Sequence, residues 1–248
     1  MELTVNILDS YRGRDKVMRT ACFGAMLAAG LVERRNKGMS TRLQVVVGRL
    51  AAARTVLRLF DDIPMLAWTL HYGLGKQEKD ATIRWLNVAK NICDQCFFPV
   101  EHIAWAGEAK IIDVKSPTPW SVASVMIWAS SLVLGCIISI KKMHTLKMKK
   151  KTLLDELSAS KLRNDNSEVL KEIQESVKKV LLEEKFNKLD LLGSVTNLLC
   201  AVNWFPPGIL WAGKFSMSMV GFLASVSSVV GLHRVYVQTK EKLRLKYA

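Results

Sequence analysis

The feature that most constrains this chain is a stretch of 25 residues, 116–140, that contains no charged side chain. About 20 apolar residues are enough to cross the hydrocarbon core of a bilayer as a helix. Two prolines stand at the front of the stretch, where a helix tolerates them, and a lysine-rich segment follows it at once. The pattern predicts a transmembrane helix over residues 119–140 and favours it over a buried core helix.

A second apolar stretch covers residues 215–232 and is shorter and rich in serine. Its length alone is ambiguous, but the basic tail 233–248 carries a tyrosine at the boundary, which is typical of a membrane flank. We predict a second transmembrane helix over 215–232, with the alternative that it only dips into the membrane. Residues 141–166 are predicted to be a basic linker.

Both predicted spans carry small residues at every fourth position. This spacing lets helix backbones approach closely in lipid, so the hypothesis is helix packing or oligomerisation. The alternative is chance, because serine and glycine are common in such runs. The residues concerned are Ser131, Gly135, Ser139, Gly221 and Ser225.

The composition agrees with a membrane protein. Half of the residues are hydrophobic, and 36 Lys and Arg against 22 Asp and Glu give a net charge of +14. Such a chain is expected to bind anionic membrane lipids. Nucleic acid is the other usual partner of a basic chain, but no zinc-finger spacing or aromatic RNA-binding motif occurs, and we expect none bound.

Residues 1–112 are predicted to form a helical domain in the cytosol or on the membrane surface. Helical patterns cover 8–35, 40–60 and 77–98, and Asp9 or Ser10 is the expected N-cap of the first. Residues 61–75 mix proline, glycine and aromatics and are predicted to be a loop or a broken helix. Pro99 is predicted to bend or end the third helix.

Within this domain, residues 41–60 form an amphipathic pattern at about 100° per residue, with arginines beside an apolar stripe and no acidic residue. Such a helix can lie in the plane of an anionic membrane, and each basic residue near the surface contributes about 1 kcal/mol. The alternative is a helix packed in a bundle with solvated arginines, and both states can hold at different times. The predicted membrane-surface residues are Leu43, Val46, Arg49, Leu50, Arg54, Leu57, Arg58 and Phe60.

Residues 167–203 are predicted to form one long helix, amphipathic at first and apolar after Asp190. The phrase "WFPPGILWAG" follows it, and a similar phrase, "FFPVEHIAWAG", precedes the first span. The hypothesis is two related half-units with matched joints at the membrane boundary, since tryptophan favours headgroups and proline and glycine change the chain direction. Two unrelated loops are the alternative. The joint residues are Pro99, Trp105, Gly107, Pro206, Trp211 and Gly213.

Candidate chemistry is sparse. Cys93, Cys96 and His102 suggest a zinc site, but a structural zinc ion needs four ligands and no second pair has zinc spacing. No catalytic motif or phosphate-binding loop occurs. We therefore predict no enzyme activity, no catalytic residue, no metal and no cofactor.

Several segments resemble the peroxisomal membrane protein 11 (peroxin-11) family, gamma type. They are "LDSYRGRDKVMR", "ARTVLRLFDDIPML", "HYGLGKQEKD", "DQCFFPVEHIAWAG", "GILWAGKF" and "VGFLASVSSVVG", in order over nearly the whole chain. The resemblance implies an all-α, multi-pass integral membrane protein of peroxisomes with both termini in the cytosol. It has an N-terminal amphipathic helical domain and two membrane-embedded helices joined by a long helical loop.

The resemblance also implies function and partners. The family elongates and divides peroxisomes, self-associates and pairs with other family members, and cooperates with a dynamin-type GTPase and its fission adaptors. The remodelling helix would be residues 41–60. The basic clusters at 147–151 and 234–246 would be read by the import receptor for peroxisomal membrane proteins. The alternatives are a solute-conducting pore, which would need more polar spans, and a passive assembly scaffold.

Overall fold

A computed structural model describes residues 1–163 and 166–246. Every helix or strand assigned in these ranges is an α-helix, so the prediction of an all-α chain is confirmed. The last residues of the predicted linker and tail, 164–165 and 247–248, lie outside the described part. The helices are α1 (Glu2–Asp9), α2 (Tyr11–Val32), α3 (Lys37–Arg58), α4 (Asp62–Tyr72), α5 (Ala81–Glu108), α6 (Thr118–Leu162), α7 (Ser167–Asn203) and α8 (Met217–Lys246).

The N-terminal pattern forms two helices rather than the one predicted over 8–35. Ser10 has an extended backbone between α1 and α2, and its Oγ accepts a hydrogen bond from the Gly13 amide at 3.0 Å. Ser10 is thus the N-cap, one of the two residues expected. A Cβ at Gly13 would overlap the Ile7 carbonyl, so this corner requires glycine.

The region predicted to be a loop or a broken helix, 61–75, contains α4. Pro64 lies in the first turn of α4, where its missing amide hydrogen has no helical acceptor to lose. The helix ends at Gly73, whose φ of 51° suits glycine. The proline therefore begins a helix here instead of breaking one.

Helix α5 begins at the Asp80 cap and passes through Pro99 to Glu108. The prediction that Pro99 could end this helix is wrong. The helix ends instead at Glu108, and the left-handed φ of 57° at Lys110 lets the Ile111 amide donate a hydrogen bond to the Ala106 carbonyl at 2.8 Å.

Helix α6 extends far beyond the uncharged stretch. It includes residues 141–162, so this part of the predicted linker is helical. The segment has no proline or glycine and is rich in lysine and leucine, which are good helix formers. In the same way, α8 continues through the basic tail to Lys246.

The larger helices pack in a row, in the order α5, α6, α7, α8, α2 and α3, and each runs antiparallel to the next. In the α5–α6 pair, Asp94 contacts Ser131 and Asp80 pairs with Lys141 at 3.3 Å. The last part of α6 and the first half of α7 form a helical hairpin. Lys150 Nζ on α6 pairs with Glu184 Oε2 on α7 at 2.6 Å.

Helix α2 lies against α8 along most of its length. Gly30 meets Ser218 near one end of the pair, and Lys16 meets Gly231 near the other. The main apolar core lies where α2, α7 and α8 join, and it contains Phe23, Cys200, Val220, Leu223 and Ala224. A segment assigned by sequence to a separate N-terminal domain thus packs directly on the second predicted span.

Candidate membrane interface

Two helices, α6 and α8, are long and apolar enough to cross a membrane by length and composition. Their outward faces carry exposed large apolar side chains, which include Val133 and Ile137 on α6 and Phe222 and Val229 on α8. Exposed apolar faces on long uncharged helices are typical of contact with lipid. The chain is therefore an all-α membrane protein with two candidate spans.

The small residues of α6 face other helices of the same chain. Ser131 donates a hydrogen bond from Oγ to the Asp94 carboxylate of α5, and the Ser139 carbonyl accepts one from Asn187 Nδ2 at 2.7 Å. Gly135 lies between α5 and α7. These three residues therefore pack helices within the chain, and their role in oligomerisation stays a prediction.

The small residues of α8 face α2. A Cβ at Gly221 would overlap the backbone of Leu27, and a Cβ at Gly30 would overlap that of Ser218. Ser225 has a buried hydroxyl oxygen. The pairing of α2 with α8 was not predicted, although the small residues in the last turns of α2 were a usable signal.

The predicted membrane-surface stripe is divided in the structure. Leu43, Leu50 and Leu57 are half-buried, whereas Val46 is 47% and Phe60 67% exposed. Helix α3 packs on α2, so the leucines belong to a protein contact. The face left open to the surroundings contains Val45, Val46, Val56, Phe60 and the two exposed arginines Arg42 and Arg49.

Two of the predicted surface arginines form ion pairs inside the protein. Arg54 is only 9% exposed, and its Nε lies 2.9 Å from Asp15 Oδ1 on α2. Arg58 binds Glu101 of α5 through two hydrogen bonds, at 2.6 and 3.2 Å. Of the predicted arginines, Arg49 alone is fully presented to the outside in this arrangement.

The two carboxylates that hold these arginines differ in their proton affinity. Burial raises the pKa of Asp15, but the charges of Lys16 and Arg54 outweigh it and hold the pKa below its usual value. Burial is the larger effect at Glu101 and raises its pKa despite the charge of Arg58. The Asp15 pair is therefore the one in which the ionised state is favoured.

Helix α4 adds an apolar surface that the sequence analysis missed. Ile63, Leu66 and Leu70 share one face and are exposed, Ile63 at 75% and Leu70 at 74%. Their spacing of three and four residues was a helical signal, but the proline and glycines of 61–75 obscured it. The polar residues Asp62 and Thr69 are less exposed than this apolar face, so the helix is amphipathic with its apolar side outward.

The two sets of predicted joint residues differ in backbone conformation. Pro99, Trp105 and Gly107 lie inside α5, whereas Pro206, Trp211 and Gly213 lie in the loop between α7 and α8. Trp211 donates a hydrogen bond from Nε1 to the Leu199 carbonyl at 2.9 Å, and Gly213 has a positive φ of 69°. Each phrase lies near the turn of an antiparallel helix pair, and the idea of two half-units remains a hypothesis.

Charged groups also lie beside the candidate spans, contributed by helices that are not spans themselves. Arg19 of α2 donates hydrogen bonds to Asn197 Oδ1 at 2.7 Å and to Ser227 Oγ at 3.2 Å. Lys90 and Asp94 of α5 form an ion pair at 2.5 Å, next to Ser131. These charged neighbours of the spans were not predicted from the sequence.

The candidate zinc residues lie on α5. Cys93 is half-buried and Cys96 is exposed, and both are free thiols. Within residues 1–163 and 166–246, no group of three or more His, Cys, Asp or Glu side chains could hold a metal ion.

The chain is similar to known proteins over nearly its whole length. Residues 1–236 match the model of the family described as Peroxisomal biogenesis factor 11. The Homo sapiens protein named Peroxisomal membrane protein 11C is 35% identical over 230 residues, which cover 92% of this chain and 90% of the relative. The Mus musculus protein of that name is 37% identical over 230 residues, 90% of this chain and 89% of the relative. No solved structure matches the chain.

Proposed function

We propose that this chain, which belongs to the Peroxisomal biogenesis factor 11 family, shapes the peroxisomal membrane and so promotes peroxisome elongation, proliferation and division. The family and the relatives establish a peroxisomal membrane protein involved in peroxisome biogenesis. Membrane shaping is the more specific activity that the exposed surfaces of this chain favour.

The observation that carries the proposal is the exposed apolar surface of α3 and α4. It contains Val45, Val46, Val56, Phe60, Ile63, Leu66 and Leu70. Burying one such side chain in an apolar phase is worth about 1.5–3 kcal/mol. Arg42 and Arg49 have no ion-pair partner among the described residues, and each would add about 1 kcal/mol near anionic headgroups. In the structure α3 packs along α2 and so runs parallel to α8, and it would have to turn away from α2 to lie in one leaflet. A helix that enters one leaflet expands it relative to the other and favours curvature.

The topology that we propose is multi-pass, with both termini in the cytosol. Helix α1 contacts α8, and the start of α2 lies beside the C-terminal half of α8, so the two termini lie at the same end of the packed helices. The α3–α4 surface would then meet the cytosolic leaflet, where fission factors act. Protease protection of proteins tagged at either end, on intact peroxisomes, tests this arrangement; protection of only one tag contradicts it.

The partners that we propose follow the same function. They are anionic lipids, further copies of this chain and other family members, the fission adaptors and the dynamin-type GTPase. The import receptor for peroxisomal membrane proteins would bind the basic clusters 147–151 and 234–246. Exposed Lys147, Lys149 and Lys151 on α6 support such a role. Lys150 is paired with Glu184 and would contribute less.

The experiment substitutes the exposed face and spares the packed face. Val46→Glu with Phe60→Glu is expected to abolish tubulation of anionic liposomes and peroxisome elongation in cells, because two charges would have to enter the leaflet. Leu50→Glu and Leu57→Glu are less informative, since both leucines are half-buried and such changes also disturb packing. Thr41→Glu with Gln44→Glu is the matched control, because it adds the same charge at exposed polar positions of α3. Unchanged elongation with Val46→Glu and Phe60→Glu would contradict the proposal.

A solute-conducting pore is the second candidate. Lys90, Asp94 and Arg19 lie beside the candidate spans, and charged groups within membranes often mark pathways. The test is the conductance of the purified protein in planar bilayers. A conductance whose ion selectivity changes in Asp94→Asn supports a pore, whereas no conductance from the unaltered protein rejects it. A passive scaffold would bind fission adaptors without changing liposome shape.

A further inference from the structure

A cavity of about 1010 Å³ lies between α6, α7 and α8, beside the start of α5. Its apolar wall includes Ile83, Leu146, Phe186 and Val237. Ile83 is only 4% exposed, and Leu146, Phe186 and Val237 are half-buried. The space is large enough to hold the polar end of a lipid with the first part of its chains.

The cavity lies where both candidate spans end. Lys142 lines it two residues after the uncharged stretch of α6, and Arg234 lines it two residues after the apolar segment of α8. Basic residues that follow directly on a span are found at the headgroup level of a membrane. If α6 and α8 cross the bilayer, the cavity therefore opens among lipid headgroups.

Side chains of both charge signs line this cavity. Lys142 and Lys242 are the cations other than Arg234. The acids other than Asp190 are Glu183 on α7, Glu241 on α8 and Glu78, which precedes α5. Arg234 pairs with Asp190 at 2.5 Å and stacks on the Phe186 ring, 5.7 Å from its centroid. The other five charged residues have no ion-pair partner in the part of the chain that the structure describes.

From this arrangement we infer that the cavity binds the headgroup of a zwitterionic phospholipid. Its phosphate is held by Lys142, Lys242 and the adjacent Arg234, and its ammonium group by Glu183 and Glu241. The apolar wall at Phe186 and Leu146 receives the glycerol and the first methylenes of the acyl chains. A cation and an anion on the same ligand satisfy both sets of unpaired charges, which a purely anionic ligand does not.

The bound lipid would connect three helices at the base of the α6–α7 hairpin. Lys142 lies on α6, Glu183 on α7 and Lys242 on α8. One lipid in this position would stabilise the angle at which the hairpin leaves the membrane-embedded helices, since ligands stabilise the state that binds them. This inference is independent of membrane shaping by α3 and α4, because no residue that lines the cavity lies on those two helices.

The test measures lipid retention by the full chain, purified in a mild detergent, with native mass spectrometry. The probes are dioleoyl phosphatidylethanolamine, dioleoyl phosphatidylglycerol and inorganic phosphate. Lys142→Ala with Lys242→Ala is expected to reduce phosphatidylethanolamine affinity at least about tenfold, because two charged contacts to phosphate are lost. Glu183→Gln with Glu241→Gln is expected to remove the preference for phosphatidylethanolamine over phosphatidylglycerol.

The matched control is Lys149→Ala with Lys240→Ala, which removes two exposed lysines from α6 and α8 outside the cavity. It should leave retention unchanged, and circular dichroism should show the same helix content in all variants. Equal loss in both lysine variants overturns the site. An unchanged lipid preference in the glutamine variant overturns the zwitterionic class. Displacement of the lipid by millimolar phosphate alone overturns the assignment to a lipid and indicates a site for free anions.

Discussion

Asp15 Oδ1 accepts a hydrogen bond from Arg54 Nε at 2.9 Å, and this contact joins α2 to α3. The side chains of Asp15 and Arg54 are only 16% and 11% exposed. An arginine that the amphipathic pattern assigned to lipid is therefore part of the protein interior. The pair helps to hold α3 on α2, and α2 in turn packs on the candidate span α8.

Asp15→Asn is expected to destabilise the protein by about 1.5–3 kcal/mol, because Arg54 loses a charged hydrogen-bond partner in a nearly buried position. Thermal unfolding in detergent, followed by circular dichroism, measures the effect. Glu101→Gln is the matched comparison, since it neutralises the carboxylate that holds Arg58. Burial already raises the pKa of Glu101, so its ionised form is less favoured and its loss should cost less. A larger effect of Glu101→Gln than of Asp15→Asn would contradict this account.

The Asp15 pair also predicts a pH dependence. The pKa of Asp15 is below its usual value in the folded protein, so the folded state binds this proton more weakly than the unfolded state. The stability from the pair is therefore present above the unfolded pKa, about 3.9, and is lost as pH falls through the lower folded value. The melting temperatures of the unaltered protein and of Asp15→Asn should converge as the pH falls below this range. A constant difference between them down to the lowest pH at which both remain folded would contradict the assignment.

Close packing of α2 on α8 predicts opposite effects for two glycines of the same helix. A Cβ at Gly30 would overlap the backbone of Ser218, so Gly30→Ala should separate the helices and cost about 1–3 kcal/mol. A Cβ at Gly24 would meet nothing within 4 Å, so Gly24→Ala should stabilise α2 by about 0.5–1 kcal/mol. Melting temperatures of the two variants give the comparison, and equal shifts would show that α2 does not approach α8 this closely.

The half-buried hydrogen bond between Arg19 and Asn197 predicts an energetic coupling between α2 and α7. A double-mutant cycle with Arg19→Met and Asn197→Leu should give about 1.5–3 kcal/mol, the range for a hydrogen bond to a charged group. The control cycle pairs Arg19→Met with Asn187→Leu, because Asn187 lies about 15 Å from Asn197, toward the start of α7, and donates to the Ser139 carbonyl instead. That cycle should be additive within about 0.5 kcal/mol. Strong coupling in the control alone would contradict the observed pairing.

Substitutions of Gly135 should distinguish packing within the chain from association between chains. A Cβ at Gly135 would lie in ordinary contact, 3.5 Å from Ser194 Oγ, so Gly135→Ala should be tolerated. Gly135→Leu should crowd α5 and α7 and cost about 1–3 kcal/mol in melting experiments. If Gly135→Leu instead left stability unchanged and abolished self-association in crosslinking, the residue would face a second copy rather than α7.

The helices that could be predicted are those with a strong local signal. The uncharged stretch indicated a span within α6, the Ser10 N-cap was among the two expected, and the apolar period indicated α7. Local helix-breaking signals were misleading at two prolines. Pro99 does not end α5, and Pro64 lies in the first turn of α4, where local breaker signals suggested a loop or a broken helix.

The candidate interface was predicted only in part, because amphipathicity identifies two faces of a helix without naming their neighbours. On α3 the leucines are half-buried and Arg54 pairs with Asp15 of α2, while Val46 and Phe60 remain exposed. The outward apolar face of α4 was not predicted, because the proline and glycines of 61–75 obscured the helical pattern. The polar side chains Asp62 and Thr69 of this helix are less exposed than its apolar face. The period of a pattern shows that a helix has an apolar face, and packing alone shows what covers it.

The amino-acid sequence was sufficient to establish an all-α membrane protein, the two apolar segments and the family resemblance. These depend on runs of uncharged residues and on local motifs, which are properties of neighbouring positions in the chain. The pairing of Asp15 with Arg54, the approach of α2 to α8 and the cavity at Lys142 join residues that are far apart in sequence. They exist only once helices have packed, because burial, ion pairing and close backbone contact depend on the neighbours that the tertiary fold brings together.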